Sequence, residues 1–291
     1  MKQLLILSGK GGTGKTTVAS AFIGFGNCKT YADCDVDAPN LHLVLSQSTE
    51  PVKREFYGLQ KAAIDISLCI GCGLCEKNCH FNAIKNSVVS LFQCEGCGVC
   101  RELCPENAVS MTDYASGSLE LYIGEEEVFS SAKLKIGSGA SGKLVSAVKK
   151  QLLNEVQNSD LVIIDGSPGI GCPVIASISG ADLVLIVTEP TVSGIHDMKR
   201  ILQTTKQFGA ECLVCINKFD ADIENTKKIE DYCHERQIPV AGRIPFDNTV
   251  IKAVNRSKSI ADYPDSKASR ALKTIWNAIY DGYVLSGSKK T

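Results

Sequence analysis

The chain has 291 residues, 44% of them hydrophobic, and a formal net charge of −1. That length supports one large core or two smaller ones, and the balanced charge excludes the basic excess that nucleic acid or an anionic membrane would require. No run of about 18 apolar residues offers a membrane span and the start does not read as a signal peptide, so a cytoplasmic location is expected. Fourteen cysteines in so long a chain point to metal binding rather than to a disulfide framework.

Leu4 to Leu7 reads as a strand and Thr17 to Phe25 as a helix, with GKGGTGKTT, Gly9 to Thr17, between them. A strand, a Gly-rich turn of spacing G-x4-G-K-T and a helix make a phosphate-binding loop. Backbone N–H groups of Gly9, Lys10, Gly11, Gly12, Thr13, Gly14 and Thr17 can converge on phosphate oxygens, and the helix N-terminus adds partial positive charge. Lys15 is expected at the β- and γ-phosphates and Thr16 on Mg²⁺.

Thr30 to Ala32 reads as a second strand, followed by an acidic loop, Asp33-Cys34-Asp35-Val36-Asp37. Carboxylates there suit water ligation around Mg²⁺ and positioning of an attacking water. Leu41 to Gln60 looks irregular and reads as the exit from the first domain.

Two cysteine runs follow, Cys69-x2-Cys72-x2-Cys75-x3-Cys79 and Cys94-x2-Cys97-x2-Cys100-x3-Cys104-Pro105. Their spacing is that of the bacterial two-cluster ferredoxins and poor for tetrahedral zinc, though zinc filling or oxidation to disulfides stays open. An inserted unit, residues 62–113, thus interrupts a body made of residues 1–61 and 114–291. His80 stands where the second run has Pro105, and a changed turn is expected there.

Beyond the insert, Leu119 to Ile123 and Val128 to Ile136 read as a hairpin. Lys143 to Glu155 reads as a helix capped by Ser141, after a flexible Gly137 to Gly142. Gly142-Lys143 is not a second phosphate loop, because Leu144 replaces the Ser/Thr ligand. Leu161 to Ile164 is an apolar strand ending at Asp165. Strands at Leu183 to Thr188, Cys212 to Ile216 and Pro239 to Ile244 alternate with helices at Gly194 to Phe208, Ile223 to Arg236 and Lys267 to Tyr280. This alternation means an α/β fold with a doubly wound, mostly parallel sheet. Asn217-Lys218-Phe219-Asp220 also fits the guanine-reading N-K-x-D pattern, so these residues leave ATP and GTP both open. Cys28, Cys34, Cys212, Cys215 and Cys233 read as structural, the x2 pair lying on opposite faces of a strand.

With Lys10 inside the loop, the DCDVDAPN stretch at 33–40 and DGSPGIGCPV at 165–174, the body resembles the MinD/ParA/Mrp superfamily of P-loop ATPases with a deviant loop. The eight insert cysteines add a 2[4Fe–4S] ferredoxin domain, an architecture grouped with the cobyrinic acid a,c-diamide synthase-like proteins. The resemblance implies ATP/ADP and Mg²⁺ binding, slow partner-stimulated ATP hydrolysis, and Lys10 reaching a facing nucleotide in a dimer. It implies that Asp35 orients the hydrolytic water, that Asp33 and Asp165 help hold Mg²⁺, and that the Gly169 N–H senses the γ-phosphate. Asn217, Lys218, Pro245 and Asp247 would form an adenine pocket.

In ferredoxins of this pattern the fourth cysteine of each run serves the other cluster, which implies one [4Fe–4S] on Cys69, Cys72, Cys75 and Cys104 and another on Cys79, Cys94, Cys97 and Cys100. The expected role is a dimeric switch coupling nucleotide state to electron transfer or metallocluster handling. Its dimer partner would be a second copy or a related ATPase, and its client a redox or cluster-accepting protein. Alternatives are an Mrp-type cluster assembly ATPase, which lacks support from any C-terminal CxxC, and a MinD-type positioning ATPase, which needs an amphipathic tail. Cys172 lies where the nitrogenase iron protein holds a bridging ligand, but no second cysteine occurs at 137–142, and a shielded structural thiol is expected.

Overall fold

The computed structural model describes residues 1–47, 49–156 and 159–285. Strand β1 (Lys2–Ser8) runs into the phosphate loop and α1 (Lys15–Gly26), then β2 (Thr30–Asp33) and β3 (Val52–Tyr57). The insert supplies β4 (Lys61–Ile64), α2 (Leu74–Lys77), β5 (Ile84–Lys85), β6 (Val88–Val89), α3 (Val99–Glu102) and β7 (Val109–Thr112). The body resumes with β8 (Ala115–Ile123), β9 (Val128–Leu134), α4 (Ser141–Glu155), β10 (Leu161–Pro168), α5 (Cys172–Ile178) and β11 (Leu183–Thr188). It ends with α6 (Val192–Gln207), β12 (Glu211–Asn217), α7 (Ile223–Glu235), β13 (Val240–Ile244), α8 (Asn248–Val254) and α9 (Lys267–Ile279).

Nine strands form one sheet in the order β13-β12-β11-β1-β10-β2-β9-β8-β3. Pairing is parallel from β13 to β9 and antiparallel for β8 and β3 at the edge. The apolar run of β1 serves both faces by alternation. Leu4 and Ile6 join Phe22, Leu272, Ile275 and Trp276 beneath α1 and α9. Leu5 and Leu7 join Val145, Val148, Val174, Met198 and Ile229 beneath α4 to α7. The phosphate loop therefore leaves the carboxyl end of a central strand buried on both sides, where open α/β sheets place their ligands.

The insert's two ends meet as an antiparallel pair, β4 against β7, with Lys61 opposite Thr112 and Ile64 opposite Val109. Inside, the two cysteine runs repeat each other. Gly73 and Gly98, at φ 71° and 78°, cap α2 and α3. Asn82 and Asn107, at φ 52° and 51°, close equivalent turns onto the carbonyls of Cys79 and Cys104 at 3.1 and 3.2 Å. His80 therefore occupies the same turn as Pro105, contrary to the sequence expectation. The backbone accepts either residue because its closing hydrogen bond comes from the asparagine two positions on.

Three other expectations need correction. Residues 41–60 are not irregular throughout: β3 pairs with β8 from Val52–Leu121 to Tyr57–Ala115. Its alternation is hard to read because most of the strand is exposed at a sheet edge. Ser141 does not cap α4; it is the first helical residue, and Ala140 precedes it at φ 71° without a side-chain cap. The short helices α5 and α8 were not foreseen, since one or two turns carry too little periodicity to register.

Candidate nucleotide and cysteine sites

Gly14, at φ 92°, caps α1 without any side-chain hydrogen bond, so the first N–H groups of the helix stay free for an anion. A Cβ at Gly14 would collide with the Asn217 amide. Asn217 Nδ2 donates to the Thr13 carbonyl at 2.8 Å, tying the end of β12 to the loop. Gly11, Gly12, Gly14, Lys15, Thr16 and Thr17 line a cavity of about 650 Å³ that Asp35, Asp37 and Pro168 border on one side. Gly9 packs against Asp197 and Thr13 is buried beneath the loop.

Lys15 is buried, its Nζ 3.6 Å from Asp35 Oδ2. Asp35 is thus the resting partner of the cation that would meet phosphate. Its carboxyl is held above the usual range by burial, which the Lys15 charge opposes. Thr16 Oγ1 donates to Asp165 Oδ2 at 2.6 Å, while Asp165 Oδ1 is buried with no partner among the described residues. A buried unpaired carboxylate oxygen beside a Thr hydroxyl fits a hard divalent cation that takes oxygen ligands through water.

Asp33, expected to help hold the Mg²⁺ shell, is engaged with the backbone. Its carboxylate accepts the N–H groups of Asp35, Asn40 and Leu41 at 3.0, 2.8 and 2.9 Å, and so braces the acidic loop. Burial pushes Asp33 up to about 8, with repulsion from Asp165 adding to it, and burial pushes Asp165 up to about 6. The two acidic segments are stitched directly: Ser167 Oγ donates to the Cys34 carbonyl at 2.6 Å and Cys34 N–H to the Asp165 carbonyl at 2.7 Å. The Gly169 N–H donates to the Ser8 carbonyl at 2.9 Å, so it is engaged rather than waiting for a phosphate.

Lys10 lies 36% exposed at the mouth of the loop, its Nζ 3.7 Å from Glu189 and 3.4 Å from Ser193 Oγ. Lys218 Nζ meets the same Glu189 at 2.7 Å. A second cavity, of about 170 Å³, runs between Gly12, Asn217 and Lys218 on one side and Pro245, Phe246, Asp247, Val250 and Ile251 on the other. Asp247 itself faces α8 and α9: it accepts from Thr249 N–H at 2.8 Å and Ser266 Oγ at 2.7 Å. Burial works against its charge, but these hydrogen bonds hold the carboxyl far below its usual range. Asp220, the last residue of N-K-x-D, accepts the Phe246 N–H at 2.8 Å. Phe246 belongs to the stretch 243–247 expected to wall the base pocket, whereas Val250 and Ile251 had no sequence signal; Phe246 and Ile251 are exposed and Val250 is half-buried.

In the insert, Cys69, Cys72, Cys75 and Cys104 line one hollow, and Cys79, Cys94, Cys97 and Cys100 line a second. Among the described residues no three acidic, His or Cys groups converge on the point a single ion would occupy. The thiols line the two hollows without meeting at one point. Backbone N–H groups face the sulfurs: Ala83 to Cys79 at 3.3 Å, Ala108 to Cys104 at 3.2 Å and Ala62 to Cys94 at 3.5 Å. Such bonds stabilise thiolate. The remaining cysteines differ. Burial pushes the Cys28 and Cys215 thiols up to about 12 and Cys233 to about 11, the condition of inert core thiols. Cys212 and Cys215 pack on opposite sheet faces. Cys172 is exposed at the start of α5 rather than shielded.

The insert touches the body where α4 begins. Gly137 packs against the Phe92 ring, leaving no space for a Cβ. A Cβ on Gly139 would sit 3.2 Å from Glu95 Oε2, and one on Gly142 3.1 Å from the Cys172 carbonyl. The loop entering α4 thus lies between the second cysteine hollow and α5. Midway along α4, buried Lys149 clamps it to the end of α5, its ammonium donating to the carbonyls of Ser177 and Ser179 at 2.8 and 2.5 Å.

Comparison with known proteins bears on the nucleotide-binding body. A family model described as the CobQ/CobB/MinD/ParA nucleotide binding domain matches residues 4–260. The chain is 32% identical over 285 residues to an uncharacterized protein of Methanocaldococcus jannaschii, covering 95% of this chain and 96% of that one. The fold is similar to the cell division ATPase MinD of Pyrococcus furiosus, with a TM-score of 0.61, 18% identity and coverage of 96% and 98% of the two chains. It is also similar to MinD of Pyrococcus horikoshii, solved with Mg-ADP, with a TM-score of 0.59, 18% identity and coverage of 100% and 99%. No described helix is long and apolar enough to cross a membrane.

Proposed function

The chain belongs to the CobQ/CobB/MinD/ParA nucleotide-binding family, and from that premise we propose that it is an ATP-hydrolysing dimeric switch whose nucleotide state governs electron transfer through two [4Fe–4S] centres in the insert. The observation that carries this reading is the segment at 137–142, the loop and first residues of α4, whose glycines leave no more than a Cβ's room against Phe92 and Glu95 of the insert on one side and Cys172 of α5 on the other.

At the nucleotide site, the free N–H groups opening α1 bind phosphate, and Lys15 exchanges Asp35 for phosphate oxygens. Released from Lys15, the Asp35 carboxylate is free to orient water and accept its hydrogen bond. Asp165 and Thr16 are the residues that would hold Mg²⁺, and Asp33 keeps the acidic loop in register. When bound, Mg²⁺ supplies charge neutralisation to the phosphates and the clusters supply one-electron storage. Lys10, at the mouth, leaves Glu189 to meet the nucleotide of a facing subunit. ATP is favoured over GTP on the resemblance of the phosphate loop, while Asp220 Oδ1 accepts the Phe246 N–H and ties the two walls of the base cavity.

The stitches between Cys34, Asp165 and Ser167 make the two acidic segments move together. Displacement of β10's end shifts α5, and the Lys149 clamp carries α4 with it. The loop at 137–142 then presses on or releases the Phe92 and Glu95 side of the insert. Packed elements pass such shifts on because dense interiors switch between arrangements rather than deform. Anaerobic reconstitution tests the reading: iron and sulfide matching two cubanes, an EPR signal on reduction, and ATPase lost in Asp35→Ala are expected. Zinc in place of iron, or electron transfer to an acceptor dye that ignores ATP, would sink it. Loss of iron to an apo-acceptor protein on ATP addition would instead favour cluster delivery.

A further inference from the structure

Lys61, the first residue of β4, is 1% exposed. Its ammonium donates to the Cys94 carbonyl and stands 5.6 Å from the centre of the Tyr114 ring. It has no carboxylate partner among the described residues. A buried cation is stable only when its charge is answered nearby, and a carbonyl and a ring face answer it in part. The next residue, Ala62, points its N–H at Cys94 Sγ. Cys94 is itself 7% exposed.

The insert's internal repeat provides the comparison. Moving 25 residues along, from Cys69 to Cys94 or from Cys79 to Cys104, carries Lys61 onto Asn86 and Ala62 onto Ser87. Ser87 Oγ lies 3.5 Å from Cys69 Sγ, so the polar contact to sulfur is kept. The charge is not: Asn86 is an exposed neutral residue whose N–H goes to Glu76. One half of a near-symmetric unit therefore carries a buried cation that the other lacks.

Resting on the two-cluster reading above, we propose that Lys61 is the built-in counter-charge of the centre held by Cys79, Cys94, Cys97 and Cys100 and makes it the more easily reduced of the two. A cubane with four thiolates is anionic and gains one further negative charge on reduction, so a fixed cation beside it favours the reduced form. The electron comes from a low-potential one-electron donor, adds to the iron core and requires no proton. It then comes to rest at the end of the insert that faces the body through Phe92 and Glu95 rather than at the Cys72 end.

EPR-monitored dithionite titration of the full anaerobic chain tests this. In the unaltered protein the two midpoints differ, and removing the first centre with Cys69→Ala and Cys72→Ala leaves the higher one. Lys61→Gln keeps an N–H donor for the Cys94 carbonyl but not the charge; it makes reduction of that centre about tenfold less favourable, ~59 mV for one electron. Lys61→Arg keeps the midpoint near that of the unaltered chain, which a purely packing role would not predict. Coincident midpoints in the unaltered chain, or equal shifts in Gln and Arg variants, overturn the proposal and leave the clusters standing. A chain that takes up no iron overturns both.

Discussion

In the body, β1 buries Leu4 through Leu7 between two helical layers, and each layer has an apolar core of more than twenty buried residues. In the insert, the corresponding cluster has four buried members, Ala62, Ala83, Cys94 and Val109, ringed by Cys75, Cys79, Cys100 and Cys104. Hydrophobic burial scales with apolar area removed from water, and so small a cluster supplies little of it. The body can be stable on its own side chains, whereas the insert's small core is ringed by cysteines. On the proposed reading, the body senses nucleotide from a rigid frame, while the insert owes its order to the centres its cysteines would hold.

The largest expected effect breaks the two regions apart. Anaerobic removal of iron with a chelator should raise amide exchange across residues 62–113 by about 100-fold or more, while the main thermal transition of the body moves by less than about 3 °C. Exchange-coupled mass spectrometry reads the first and calorimetry the second. Next in size, Lys15→Ala should weaken ATP binding by about 100-fold, roughly 2.8 kcal/mol, because a charge-assisted contact to phosphate is lost. Iron content of that variant should not change; a parallel loss of iron would deny the independence of the two regions.

A smaller effect concerns pH. The folded chain holds protons on Asp33 and Asp165 that the unfolded chain releases from about pH 4 upward, so stability without Mg²⁺ should fall as pH rises towards 8. Asp165→Asn removes one of these groups. It should flatten the fall and raise the melting temperature at pH 8 by about 3 °C, roughly 1 kcal/mol in a chain of this size. With Mg²⁺ and ADP present the order should reverse, since the variant has lost a metal-binding group. The smallest effect is expected for His80→Pro: both halves of the insert use the same turn, so the melting temperature should move by less than about 2 °C.

Local features were legible in the sequence. The Gly9 to Thr17 loop and the long apolar strands each carry their meaning within about ten residues, and the two cysteine runs show within the same span the repeat that the insert follows. The β3 edge strand was not legible, because an exposed edge does not show one clean buried face. Asp33 and Asp247 looked like ligands since they sit beside a phosphate loop and a base cavity. Only the fold shows that their lone pairs serve backbone N–H groups and Ser266. The contacts of Phe92 with Gly137 and of Gly142 with Cys172 join segments that are tens of residues apart in the chain, and a glycine's spacing says nothing of what it packs against. Lys61 was invisible for the same reason: a lysine preceding an apolar strand reads as a solvated end until its burial is seen.

Coupling between nucleotide and insert is tested most directly by redox titration of the reconstituted chain with no nucleotide and with a non-hydrolysable ATP analogue, in the unaltered protein and in Gly142→Val. ATP-state binding is predicted to displace the midpoint of the centre nearer the body, and the valine, which crowds the Cys172 backbone, to abolish that displacement while nucleotide still binds. Superimposed curves with and without the analogue, from a protein holding both nucleotide and iron, would contradict the account.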